Sequence, residues 1–165
     1  MKKYILIILI FYGLKSAAQN AMPRFVKLTS AEKNAVVQKL NWQDDTILII
    51  NFISPLDSSG TSIAEATIVS YWNDFYKNFD SKKFKVKLVY SDCVGREQLK
   101  NSKLIHLDND EVLRSIFFPR DKTCSGIAVL NKKGSFKIKS GTYNQEDVEE
   151  LAAQLINEQE DSIKK

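Results

Sequence analysis

Thr46-Ile47-Leu48-Ile49-Ile50-Asn51-Phe52-Ile53 is the stretch that decides the fold. It is a nearly unbroken apolar run, rich in β-branched residues, with polar turn-like sequence on both sides. A run of this length with these flanks predicts a strand buried on both faces, as in the middle of a parallel sheet. Such a strand needs helices over each face, and the flanking sequence supplies them.

Downstream, Ser54-Pro55-Leu56-Asp57-Ser58-Ser59-Gly60-Thr61 is loop by composition. A helix is expected from about Ser62 to Phe79, with Ile68, Tyr71, Trp72, Phe75 and Phe79 forming one apolar stripe at spacings of three and four. Phe84 to Tyr90 alternates apolar and charged residues, which predicts a second strand parallel to the first across a helical crossover. Gly95 to Ser102 suggests a short helix and Leu104 to Leu107 a short extended piece. Asp108-Asn109-Asp110-Glu111 opens a helix that Pro119 stops. Ser125 to Leu130 and Ser135 to Lys139 read as strands joined through the hairpin signal Asn131-Lys132-Lys133-Gly134. Asn144 caps a last helix to about Asn157, with Val148, Leu151, Ala152 and Leu155 facing inward. Upstream, Thr29-Ser30-Ala31-Glu32 is a capping box that starts a helix to about Leu40.

The order is helix, strand, helix, strand, helix, β-hairpin, helix. A βαβ unit followed by a ββα unit is the thioredoxin-like arrangement. From Thr46 to Asn157 the chain resembles the exported thioredoxin-like family of thiol–disulfide proteins, through Ile49-Ile50-Asn51-Phe52 before a loop and long helix, and Ala128-Val129-Leu130-Asn131-Lys132-Lys133-Gly134 at the hairpin. The resemblance implies an α/β fold with a central four-stranded mixed sheet flanked by helices, in the order second, first, third, fourth. It also implies Cys-x-x-Cys after the first of these strands and a cis-proline facing it. Here the corresponding positions read Asp57-Ser58-Ser59-Gly60, and Ser125 with Cys124 before it. Thiolate is the nucleophile of disulfide exchange, so the two-cysteine cycle of the family cannot run in this loop.

The chain ends place the protein. Lys2 and Lys3, the uncharged apolar run Tyr4 to Leu14, and Ser16-Ala17-Ala18 make the three parts of a secretory signal peptide. The run is about half of the roughly 20 residues that span a bilayer, which argues against a permanent anchor. The domain reading is a signal peptide over 1–18, an N-terminal extension with one helix over 19–45, a thioredoxin-like domain over 46–157 and a frayed tail over 158–165. Export to the periplasm or the outside follows, with no membrane attachment after cleavage.

The net charge of +4 falls to +1 when Lys2, Lys3 and Lys15 leave with the signal peptide. A near-neutral domain has no electrostatic footprint for nucleic acid. The cluster Lys82-Lys83-Phe84-Lys85-Val86-Lys87 reads as a half-exposed strand with lysines toward water. Asp108-Asn109-Asp110-Glu111 lacks the glycine and distal glutamate of a calcium loop, and acidic residues favour a helix start, so no metal is expected. No cofactor is called for. His106 is the only histidine, and it reads as a partly buried or surface residue on a short strand. Trp72 and its neighbours read as core before they read as a ligand platform. Ile47, Ile49, Phe52, Trp72, Phe75, Val86, Leu88, Val129 and Leu151 are expected to be mostly buried.

Two cysteines remain. Cys93 follows the second strand and Cys124 precedes the third, which puts both on the edge that holds the loop 54–61. In an exported protein such a pair can bond. Two functions follow from different classes. One is a non-catalytic binding or accessory module for another exported protein or peptide, using Pro55, Leu56, Asp57, Ser58, Ser59, Cys124 and Ser125. The other is a thiol–disulfide oxidoreductase using Cys93 and Cys124.

Overall fold

The computed structural model describes residues 26–43, 46–53, 65–91, 105–119 and 125–161. The chain runs β1 (Val26–Lys27), α1 (Ser30–Leu40), β2 (Ile47–Ile53), α2 (Glu65–Phe75), β3 (Phe84–Ser91), β4 (Ile105–Asp108), α3 (Val112–Phe117), β5 (Gly126–Leu130), β6 (Ser135–Ser140) and α4 (Gln145–Asp161). The signal-peptide residues, the loop 54–61 and both cysteines lie outside the described residues.

The strands form one mixed sheet in the order β1-β6-β5-β2-β3-β4. β2 pairs in parallel with β3, Ile47 opposite Phe84 through Ile53 opposite Tyr90, and antiparallel with β5, Leu48 opposite Leu130. The middle of the sheet is therefore β3-β2-β5-β6, the order expected. The expected count of four strands is too low. Ile105–Asp108 adds a parallel strand beside Leu88–Ser91, and Val26–Lys27 adds a two-residue antiparallel edge on β6. The piece expected to be extended at 104–107 is thus a full member of the sheet, whereas the two residues of β1 are too few to show a period-2 pattern.

Every residue of β2 is buried. Leu48, Ile50 and Phe52 face a core built with Leu28, Val36, Leu40, Trp42, Leu113, Phe117 and Phe118. Ile47 and Ile49 face the other core, with Ile127, Val129, Val148, Leu151 and Leu155. This is the α/β/α layering that a strand with two apolar faces demands. Residues 28–42 thus share the domain's own core, although the sequence sets 19–45 apart as an extension: Trp42 is buried and its indole N–H donates to the Thr46 carbonyl at 3.3 Å.

Local signals place the helix ends. Thr29 and Glu32 make the reciprocal capping box, with the Thr29 N–H donating to the Glu32 carboxylate at 2.8 Å and the Glu32 N–H donating to the Thr29 hydroxyl at 3.3 Å. Asn144 and Asp147 cap α4 in the same reciprocal way, each accepting the other's N–H at 2.9 Å. At the β5–β6 hairpin the Asn131 side-chain oxygen accepts from the Lys133 and Ser135 N–H groups, and Gly134 takes φ 81°, where a side chain would be strained. α3 begins four residues later than expected. Asp108 is the last residue of β4, and its buried carboxylate reaches forward to accept from Leu113 N–H at 3.1 Å and Arg114 N–H at 2.8 Å. α4 runs to Asp161, into the stretch read as a frayed tail.

Candidate functional site

β2, β3 and β4 run parallel, β5 runs against them and β6 runs with them. The ends Ile53, Ser91, Asp108 and Ser140 and the start Gly126 therefore gather at one edge of the sheet. A cavity of about 440 Å³ opens at this edge. Its floor is Phe52 and Ile53 from β2, one wall is Thr67, Ile68, Tyr71 and Trp72 from α2, and the other is Ser125 with Gly141, Thr142 and Tyr143 from the β6–α4 loop. The described lining is apolar and aromatic, with hydroxyls from Thr67, Ser125 and Thr142 at its margins.

The aromatic wall is built of ring contacts. Trp72 lies edge-on to Tyr71 at 5.1 Å between centroids, and stacks near-parallel on Tyr76 and Tyr143, each at 5.9 Å. The apolar stripe expected on α2 splits here. Ile68 is buried, Trp72, Phe75 and Phe79 are half-buried, and Tyr71, expected inward, is 57% exposed at the cavity. The stripe is wider than the sheet can cover, so its outer residue remains in solvent. Val86 and Leu88, expected to be buried, are also only half-buried.

Behind the wall lies a polar cluster. Asn51, in the centre of β2, is fully buried. Its side-chain oxygen accepts from the Tyr76 hydroxyl at 2.6 Å and the Tyr143 hydroxyl at 2.8 Å, and its amide donates to the Lys87 carbonyl at 3.3 Å. Burial pushes both tyrosine hydroxyls well above the ordinary phenol pKa, so both stay neutral donors. Tyr143 thus spends its hydroxyl on Asn51 and offers its ring to the cavity. Gln145 secures the same loop by donating to the Phe75 carbonyl.

Of the residues predicted for binding, Ser125 lines the cavity. Pro55, Leu56, Asp57, Ser58, Ser59 and Cys124 lie outside the described residues, as does Cys93. Phe52, Ile53, Tyr71, Trp72 and Tyr143 were read as core or not singled out. The position of Gly141-Thr142-Tyr143 directly after β6 is the signal that could have found the second wall. Of the remaining candidates, Asp110 is paired locally. Asp110 pairs with Lys39 at 2.7 Å, and that contact holds its carboxyl below the usual range. His106 is half-buried on β4, its Nε2 has no hydrogen-bond partner among the described residues, and burial pulls its pKa down. Lys82 and Lys83 are exposed and Lys87 is half-buried, its pKa lowered by burial and by Lys85.

Two solved structures similar to this chain are thioredoxins by description. The chain is similar to a Neisseria meningitidis protein proposed to be a thioredoxin, at 17% identity and a TM-score of 0.46, over 82% of this chain and 89% of that one. It is similar to the exposed lipoprotein thioredoxin of Streptococcus pneumoniae strain TIGR4, at 16% identity and a TM-score of 0.43, over 70% of this chain and 86% of that one. No family model and no curated protein matches the chain. Among the described residues no helix is long and apolar enough to cross a membrane.

Proposed function

We propose that this chain is an exported thioredoxin-like domain that works as a non-catalytic binding or accessory module, holding an apolar segment of another exported protein or peptide. The observation that carries the reading is the cavity at the carboxyl ends of the parallel strands, where α/β sheets bind ligands. Its described walls offer rings and methyl groups, with no carboxylate, amine, imidazole or thiol among them. Such a surface gains from excluding water from an apolar side chain, at about 25 cal/mol per Å² buried. The exported setting rests on the signal-peptide pattern of residues 1–18.

A second reading is kept by one observation. Ser125 is a cavity wall and Cys124 precedes it in the chain, while β3 ends at Ser91, two residues before Cys93. A thiol pair at this edge would have substrate beside it. Titration with short apolar peptides, followed by tryptophan fluorescence, together with an insulin-reduction assay, separates the two. The binding module predicts a fluorescence response lost in Trp72→Phe and no insulin reduction. Reduction that disappears in Cys124→Ser would overturn it in favour of the oxidoreductase.

A further inference from the structure

The described walls of the cavity carry no charged group, and their side-chain polar atoms are hydroxyls and one indole N–H. Trp72 is half-buried, and its N–H has no partner among the described residues. The buried side-chain polar atom left unpaired among those residues is His106 Nε2, so the Trp72 N–H is open to solvent. The hydroxyls of Thr67, Tyr71 and Thr142 are likewise unpaired among the described residues, and all three residues are exposed. An indole N–H gives a hydrogen bond and cannot take one. Tyr71 is 57% exposed and meets Trp72 at 83° between ring planes and 5.1 Å between centroids, so the two rings form a corner.

We propose that the segment held in this cavity is proline-rich and enters as a polyproline II helix. The inference rests on the binding-module reading and narrows it to one class of partner. An uncharged cavity selects an uncharged segment, because a charge placed in it would lose solvation and gain no partner. An ordinary extended peptide also brings a backbone N–H at each residue, and each needs an acceptor once buried. A proline residue brings a carbonyl and no N–H. The Trp72 N–H answers that carbonyl, and the hydroxyls of Tyr71, Thr67 and Thr142 can donate to its neighbours. The corner of Tyr71 and Trp72 supplies ring surface for the pyrrolidine. Aromatic-lined grooves hold proline-rich segments in this way, and such a segment arrives already extended, so it loses little conformational entropy on binding.

A carbohydrate would also stack on rings. Each sugar hydroxyl, however, needs an acceptor as well as a donor, and the described walls hold no carboxylate or side-chain amide to accept from it. Polyproline II repeats every three residues, about 9 Å, so a cavity of about 440 Å³ takes in about one turn.

Calorimetric titration of the full chain with two uncharged, end-blocked peptides tests this. One is decaproline. The other is a Val-Ser repeat of the same length, which keeps apolar side chains and restores the backbone N–H groups. Decaproline is expected to bind about tenfold more tightly. Tyr71→Ala should weaken decaproline binding by about tenfold, as loss of an aromatic anchor does, with an unchanged melting temperature because Tyr71 is exposed. Trp72→Phe, which keeps a ring and removes the N–H, should narrow the gap between the two peptides. Equal affinity for the two peptides in the unmodified chain would overturn the inference and leave the apolar-segment reading standing. Binding of neither peptide would overturn both. Binding of cellohexaose in place of the peptides would assign the cavity to a carbohydrate and overturn the inference.

Discussion

The Tyr143 hydroxyl donates to the Asn51 side-chain oxygen across 2.8 Å, joining two residues 92 positions apart. The Tyr76 hydroxyl shares the same acceptor at 2.6 Å. One buried amide thus fixes a cavity wall to the central strand. An aspartate there would carry a charge into the core, whereas asparagine satisfies the two hydroxyls without one.

Removing the acceptor should be expensive. In Asn51→Leu two buried hydroxyls lose their partner, each at about 1–3 kcal/mol. The cluster also predicts alkaline sensitivity. Both tyrosines have folded-state pKa values raised above the unfolded value near 10. The folded state therefore holds their protons more tightly, so this contribution is complete below about pH 10 and falls as pH rises beyond it. Urea denaturation between pH 8 and about pH 11 should show the loss, and the double variant Tyr76→Phe/Tyr143→Phe should flatten it. An unchanged slope in the double variant would assign the sensitivity to other groups.

Phe52 and Trp72 are both large aromatics on the first crossover, but they should not cost the same to remove. Phe52 is buried against Phe118 and Phe117, with ring centroids at 5.0 and 6.1 Å. Phe52→Ala should cost about 3–5 kcal/mol. Trp72 is half-buried and faces the cavity, so Trp72→Ala should cost less stability and more binding. Thermal unfolding of the two variants ranks them; a larger loss in Trp72→Ala would contradict the packing described.

A disulfide between Cys93 and Cys124 is the third expectation. Ser91 ends β3 and Gly126 begins β5, with β2 between them, so two strand spacings of about 5 Å each separate the flanking strands. Closure requires Cα atoms at about 4.4–6.8 Å, so both turns must lean over the end of β2. Bonded, the pair would close a loop of about 31 residues and add roughly 3–4 kcal/mol in the chain-entropy model. Mass spectrometry of the non-reduced protein should find no alkylatable thiol; two free thiols would exclude the bond.

What the sequence determined by itself is local. The capping box at Thr29 and Glu32, the hairpin at Asn131–Gly134 and the buried run Ile47–Ile53 each depend on residues a few positions apart, and the structure keeps all three. The order of the four middle strands was what the resemblance to the thioredoxin-like family implied, and the sheet keeps it. Tertiary structure alone decided the rest. Trp42 enters the core beside Val36 and Leu40 of α1, and the piece read as extended at 104–107 finds its partner in β3. Tyr71 and Trp72 share one helical stripe in sequence, yet Tyr71 stands at an open cavity while Trp72 stacks on Tyr143. Asn51 looked like an interruption in an apolar run until Tyr76 and Tyr143 arrived beside it from 25 and 92 residues away. Periodicity and caps report what a residue does within its own element. Which side chains meet between elements depends on packing several elements at once, and contacts that distant leave no local pattern.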